Sequence, residues 1–315
     1  MASQCEVDGN VDTEVEKKVL NNSVIRSGGW RRLLAGMPAR MVALLAVCIL
    51  VTACNTIKLG YENLPRLVEW QADRFLALDS EQEALVNRHA RTLQRWHRQN
   101  LLPVYAEFLT RVEEDLRTPV STSQVAGWRQ AAVDGWAPLA EKLAPAVAEV
   151  ALTLRPEQID HLVKAIEKAN KKTAGEYLPA DPAKRRQARY ERLVVRAESF
   201  MGDVSDAQKE AIRASAAAMA SDDDAWWQSR LARQKAIVDL LAGISAEKPP
   251  MAEATRRAHQ VLAGLWDHHR ASATIDSAGD RLTVRLLALA SPEQRRSVIK
   301  RLDGYRQDFQ LLAAR

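Results

Sequence analysis

Cysteine is almost missing from this sequence. The 315 residues hold three, at Cys5, Cys48 and Cys54, so no disulfide can staple the chain beyond residue 54. A body without thiols suits an oxidising compartment. Glycine is also sparse, at 13 residues. The apolar residues are mostly Ala, Leu and Val spaced three and four apart, a pattern that excludes strand-rich sandwiches and barrels and favours helices. The uncharged apolar run from Met41 to Ala53 has only thirteen residues, whereas a bilayer-spanning helix needs about 20. There is no nucleophile elbow, Walker loop or dinucleotide fingerprint. What is present, 47% hydrophobic and 27% charged residues, is enough to bury a substantial core.

The run Met41–Ala53 follows Arg40 and, further back, Arg31 and Arg32. A positive flank, a short apolar stretch and small residues at its end make a secretory signal. Its end, Val51-Thr52-Ala53-Cys54, resembles the bacterial lipobox, which implies cleavage after Ala53 and a lipid on Cys54. Residues 1–36 are polar and partly acidic, an unusual leading region, so Met37 is the expected start and 37–53 the signal peptide. Residues 54–61 then form a short tether. With Asn55 rather than Asp after the cysteine, the resemblance to enterobacterial lipoproteins implies the outer membrane, with the body facing the periplasm.

Residues 62–315 read as an all-α periplasmic domain, a multi-helix bundle or an array of helical hairpins, either elongated or as two abutting bundles. The first helical run places Leu64, Leu67, Val68 and Phe75 near one face. The second carries Leu85, His89, Leu93 and Trp96 as one stripe. Pro103 should break it, and Val104, Phe108, Val112 and Leu116 continue a similar stripe. A short motif recurs at helix starts: Leu78–Gln82, Val120–Gln124, Leu154–Gln158, Val204–Gln208 and Ala290–Gln294. Each reads as an apolar residue, a cap and Gln at the third helical position. The cap side chain accepts from the Gln amide, and the Gln side chain reaches back. Arg155 cannot act as such a cap. Spacings of 42, 34, 50 and 86 residues fit consecutive helical hairpins, and they equally fit unrelated helices with good capping chemistry.

Candidate chemistry is thin. Of six histidines only His161 has a carboxylate, Glu157, at ligand spacing on a helix, so no metal or cofactor is expected. Glu113-Glu114 and Asp222-Asp223-Asp224 read as solvated or helix-terminal charges. Of adjacent Trp226 and Trp227, one should lie outside the core stripe, because helical neighbours diverge by about 100°. The strongest charge feature runs from Lys164 to Arg196, where ten cations face four acids. Within it Lys184, Arg185, Arg186 and Arg189 form a candidate patch for anionic lipid headgroups or lipopolysaccharide phosphates, or else a solvated helix pair. An exported protein gives such a patch no nucleic acid to meet.

The residues Tyr61, Asn63, Trp70, Asp73-Arg74-Phe75, the Leu78–Gln82 start, Trp96-His97-Arg98, Leu102-Pro103 and Tyr105 resemble an uncharacterised family of proteobacterial lipoproteins, catalogued as a domain of unknown function. That resemblance implies a lipid anchor and a periplasmic location, but no activity. The repeated helix starts are similar to those of the small periplasmic chaperones of the Spy and CpxP type, although those proteins are shorter and lack a lipobox. The expected role is therefore non-catalytic: binding, envelope structure or chaperone-like protection. The partners would be the membrane through Cys54 and anionic envelope components or unfolded clients. The alternative is an envelope enzyme whose site the sequence does not display.

Overall fold

Residues 58–219, 223–265 and 273–315 are described by a computed structural model. The expected signal peptide, the expected lipidation site Cys54 and the leading extension lie outside the described residues. After a helical stretch at residues 58–62 come twelve helices and, among the described residues, no strand. They are α1 (Leu64–Leu76), α2 (Ser80–Asn100), α3 (Leu102–Asp115), α4 (Thr122–Asp134), α5 (Trp136–Thr153) and α6 (Pro156–Tyr177). The second six are α7 (Pro182–Met201), α8 (Asp206–Ala218), α9 (Asp223–Glu247), α10 (Met251–Gly264), α11 (Ala273–Ala288) and α12 (Pro292–Ala313). Among the described residues no helix is long and apolar enough to cross a membrane.

The caps explain where these helices begin. Asp79, Ser121, Ser205 and Ser291 each accept from the amide of the Gln three residues on, and that Gln side chain accepts from the cap N–H. Two orphan donors are satisfied at each start. At the third copy half of this survives: Gln158 Oε1 accepts from Arg155 N–H at 3.1 Å, while the Arg155 guanidinium crosses to Asp79 at 2.6 Å. Pro103 stands in the first turn of α3, where its missing donor costs nothing, and α2 ends at Asn100 just before it. Gly202, with φ of 80°, closes α7 in a conformation that a Cβ would strain.

The structure corrects two details of the expected stripes. In α1, Leu67 and Val68 face outward, with Trp70 beside them, while Phe75 and Leu76 join the core. In α3, Val104 is exposed and Val112 is buried. Part of the stretch expected as a tether, 54–61, is described. Residues 58–61 are already helical, Lys58 pairs with Asp308 at 3.1 Å, and the Tyr61 hydroxyl meets His97 Nδ1 at 3.1 Å.

Two apolar cores form. In the first, α5 presents Ala140, Ala144, Ala148 and Ala151, all at most 1% exposed, to Ala254, Ala258 and Leu262 of α10. Small residues at this spacing let two helix backbones approach closely. Leu76, Leu162, Leu240, Leu241 and Ile244 from α1, α6 and α9 complete that core. The second core gathers Ala197, Met201, Val204, Ile212, Leu282, Leu286 and Val298 from α7, α8, α11, α12 and the α7–α8 turn.

The motif glutamines do more than cap. Gln82 and Gln158, each 3% exposed, hydrogen-bond to one another through both amide groups, at 3.1 and 2.7 Å. Gln82 also donates to the Thr153 carbonyl at the end of α5, and Gln158 to the carbonyls of Leu76 and Ala77 at the end of α1. One pair of side chains thus joins two helix starts to two helix ends. Gln208 and Gln294 form a second reciprocal pair at 2.9 and 3.0 Å, with Gln294 also donating to the Asp203 carbonyl.

These two clasps reveal an internal duplication. Around the first, α1 packs on α2 and α6, and α2 on α5; around the second, α7 packs on α8 and α12, and α8 on α11. The helices between each pair of starts cross over. Helices α3 and α4 pack on α12 and α11, while their counterparts α9 and α10 pack on α6 and α5. Each half lends its middle helix pair to the other. Shifts of 126 residues (78 to 204) and 136 residues (154 to 290) superpose the clasp motifs, and Pro-Glu-Gln recurs at 156–158 and 292–294.

Candidate binding site

Around the second core the helices leave a groove. It encloses about 390 Å³ and is lined chiefly by apolar side chains: Leu116 of α3's end, Trp128 of α4, Ala197 and Met201 of α7, Leu282 and Leu286 of α11. Val298 and Leu302 of α12 close it from the far side. Phe200 and Arg196, both exposed, stand at its rim. A volume of this size with a mainly apolar wall and a few polar groups is that of a small-molecule or side-chain site.

Polar anchors hold the wall in place. Trp128 Nε1 donates to Asp115 Oδ2 at 2.7 Å, which ties α4 back to the end of α3. Next to it Arg129 reaches Asp280 of α11, at 3.2 Å and 3.4 Å to the two carboxylate oxygens. Asp280 is only 5% exposed, so a bidentate cation is what makes its burial tolerable. Phe200 meets the edge of Tyr305 with ring centroids 6.5 Å apart. The equivalent helices around the first clasp, α1, α5 and α6 with α9 and α10 lent by the second half, enclose the first core, where thirteen described apolar residues are buried against seven in the second.

The basic segment divides between two helices and several fates. On α6, Lys164, Lys168, Lys171 and Lys172 are exposed at i, i+4, i+7 and i+8, and so share one face. On α7, Lys184 and Arg186 are exposed, while Arg185 donates to the Pro179 carbonyl at 2.7 Å. Arg189 leaves the expected patch: it is buried, pairs with Asp223 and donates to the Ala216 carbonyl at 2.9 Å. Asp223 is correspondingly an ion-pair partner rather than a solvated charge. Arg192 lies 4.3 Å over the Tyr177 ring, and burial holds its pKa below the ordinary guanidinium range. Tyr177 in turn stacks on Trp226 at 5.7 Å, with Trp227 tilted against Trp226 at 6.0 Å. Both tryptophans are half-buried.

Three of the described histidines, His89, His97 and His161, have structural partners. His161 meets the Arg74 carbonyl at 3.2 Å rather than Glu157. His89 pairs with Glu149 of α5 at 2.8 Å, a contact across 60 residues that no local spacing announces. His97 sits in an aromatic ladder with Tyr61, Tyr105 and Phe309, each step 5.6 to 6.0 Å between centroids. Among the described residues no group of three or more His, Cys, Asp or Glu is placed to hold a metal.

A protein family of unknown function, DUF6279, matches residues 74–268. The chain belongs to that family. The match runs from the end of α1 to just beyond α10, well past the stretch from Tyr61 to Tyr105 that carried the resemblance in the sequence. Within the DUF6279 region lie the first clasp, Gln208 and the whole basic segment. No curated protein and no solved structure matches the chain, so a likeness to the Spy and CpxP chaperones is not shown.

Sequence reasoning missed the groove. The stripes Leu193-Ala197-Met201, Leu282-Leu286 and Val298-Leu302 are legible as buried faces, but nothing local shows that the helices stop short of filling the space between them.

Proposed function

We propose that this DUF6279 protein is a lipoprotein of the bacterial envelope, anchored through Cys54 with its helical body in the periplasm, and that it acts by binding rather than by catalysis. The groove between α3, α4, α7, α11 and α12 takes the apolar part of the ligand. One observation carries this reading: of two equivalent cores, the first is packed with small and large apolar side chains, while the second surrounds a space of about 390 Å³ with an apolar wall and Arg196 at its rim. Keeping such a wall open forgoes roughly 25 cal/mol for every Å² of apolar surface not buried. A ligand that restores that burial would be held by the same effect, and Arg196 favours one with an anionic end.

The exposed lysines of α6 with Lys184 and Arg186 support a second contact, with an anionic envelope component. Two measurements test the proposal. Cells fed labelled palmitate should label the chain, and Cys54→Ala should remove the label; label retained in that variant defeats the anchor. A fluorescent anionic apolar probe should bind the purified protein, and Ala197→Leu, which fills the groove, should weaken it about tenfold, the effect of some 1.4 kcal/mol. Equal binding by Ala197→Leu defeats the groove as the site. Salt-sensitive vesicle binding lost in Lys184→Glu with Arg186→Glu would support the second contact.

A further inference from the structure

Helix α1 carries an apolar face that the bundle does not cover. Leu67 is 49% exposed, Val68 39% and Trp70 53%, and Leu59, in the helical stretch before it, is 63%. Residues 67, 70 and 74 fall within about 60° of one another around a helix, so Leu67, Trp70 and Arg74 form one stripe. The Arg74 guanidinium lies 5.7 Å from the centre of the Trp70 ring. Arg66 is exposed beside it.

The charges on this helix are sorted. Its two carboxylates turn away from the stripe: Glu69 accepts from Asn87 of α2, and Asp73 accepts from the Leu78 amide at 3.0 Å. Both are half-buried. Just before α1, Glu62 is taken up by Arg98 and Arg315, at 3.4 and 2.9 Å. What α1 leaves exposed is therefore apolar and cationic except for the neutral Gln71, with a tryptophan at the centre and no carboxylate fully exposed. That composition suits the boundary between phospholipid headgroups and acyl chains, where Trp is enriched, apolar faces sink about 5–10 Å and cations meet lipid phosphates.

The chain length says which surface is near. Three residues stand between Cys54 and Lys58, the first described residue, and the four steps fully extended reach at most about 14 Å. A lipid on Cys54 thus keeps the start of this helix within one headgroup layer of the bilayer. We infer that the face of Leu67, Trp70 and Arg74, edged by Arg66 on one side and Val68 on the other and preceded by Leu59, is the one the body lays on the phospholipid bilayer that holds Cys54. This rests on the lipoprotein reading of the N-terminus. The anchor then fixes orientation as well as distance, since a second contact stops the body from swinging on its tether.

The test uses the processed, lipidated protein in phosphatidylethanolamine and phosphatidylglycerol vesicles. Once Cys54 is acylated it has no free thiol, so Leu67→Cys, Trp70→Cys and, on the exposed side of α9, Lys235→Cys can each be labelled with a fluorophore. Nitroxide on the upper acyl carbons should quench the labels at 67 and 70 at least about twofold and leave that at 235 unchanged, as expected for a face sunk below the headgroups. Quenching at 67 should fall when Trp70→Glu is added. Both positions are exposed, so these substitutions spare the fold. Palmitate incorporation is read on the same samples. Palmitate present without quenching at 67 and 70 overturns the bilayer face and leaves the anchor standing. Labels at 67 and 70 shielded from water but not quenched by lipid would assign the stripe to a protein partner and overturn it too. Absence of palmitate overturns the anchor and the bilayer face together.

Discussion

Replacing Gln158 by alanine removes a side chain that is 3% exposed and touches four other groups. Its amide nitrogen donates to Gln82 Oε1 and to the Leu76 and Ala77 carbonyls, and its oxygen accepts from Arg155 N–H and from Gln82 Nε2. Ala77 and Arg155 are exposed, so water can replace what they lose. Leu76 and Gln82 are buried and cannot recover so easily. Each buried polar group left without a partner costs about 1–3 kcal/mol, so the loss should be roughly 2–5 kcal/mol. For a body of this size each kcal/mol moves Tm by about 2–4 °C, which a thermal melt followed by circular dichroism resolves. Gln124 supplies the control, because it caps α4 in the same way but joins no second glutamine; Gln124→Ala should cost about 1 kcal/mol. In a double-mutant cycle with Gln82→Ala, the pair should couple by about 0.5–3 kcal/mol. Additive single effects, or a Gln158→Ala loss no larger than that of Gln124→Ala, would refute the clasp as a structural unit.

Ser291→Ala should lower stability by about 0.5–2 kcal/mol, because Ser291 Oγ accepts from Gln294 N–H at 3.2 Å; an unchanged melt would show that cap to be idle. His97 is held below its ordinary pKa by burial. The unfolded chain therefore takes up that proton first, and stability should be flat above about pH 6.5 and fall as the pH drops through it, a slope that His97→Gln should remove from Tm measured against pH. Glu253, between Arg256 and Arg257, is lowered to about 2 by their hydrogen bonds. The stability it contributes is present above its ordinary carboxylate pKa and lost as pH falls toward 2. Because the carboxylate lies at the surface in contact with solvent, Glu253→Gln should flatten the acid limb only slightly, and less in high salt.

The helical class, the break at Pro103 and four complete capping boxes were legible because each depends on residues within one turn of one another. The clasps were not. Gln82 and Gln158 are 76 residues apart, and nothing in either motif says that its amide will find another amide rather than water. The only trace was the recurrence itself, together with Pro-Glu-Gln at 156–158 and 292–294, which read equally well as convergent caps. The same limit explains α1. The spacing of Leu64, Leu67, Val68 and Phe75 makes a face, but only tertiary packing decides which part is covered, and α2 and α6 cover the side of Phe75 and Leu76. Arg189 failed as a patch residue for the converse reason: a cation in a basic run is expected at the surface until Asp223, 34 residues away, is placed against it.

The duplication also gives the groove its meaning. Two halves with the same helix order, the same clasp and exchanged middle helices start from the same packing problem, so differences between them report what their sequences have been free to change. On α5 four alanines let α10 settle close and fill the first core. The counterpart of α5 is α11, which presents Gly279, Leu282, Thr283 and Leu286 toward the helices from the other half, and there the groove opens. Its wall is braced by the Trp128–Asp115 hydrogen bond and by the pairing of half-exposed Arg129 with buried Asp280, contacts that hold α4 at its distance instead of letting it collapse onto α11. A cavity left by poor packing would relax inward wherever side chains allow it. The first core also has a polar tie between the counterpart helices, Trp136 Nε1 of α5 donating to the Leu262 carbonyl of α10 at 2.8 Å, but there the small alanines bring the backbones together. Around the groove larger side chains and the Arg129–Asp280 pair keep α4 and α11 apart, and that difference is the reason to look for an occupant. Arg129→Met, which keeps the bulk but removes the cation, should let α4 and α11 shift and should cut binding of the apolar probe while costing about 3–5 kcal/mol in stability, because Asp280 is left as a buried unpaired charge. In Arg129→Met with Asp280→Leu much of the stability should return, since no charge is then stranded, but probe binding should not. Recovery of both together would show that the pair serves packing alone and that the groove owes it nothing.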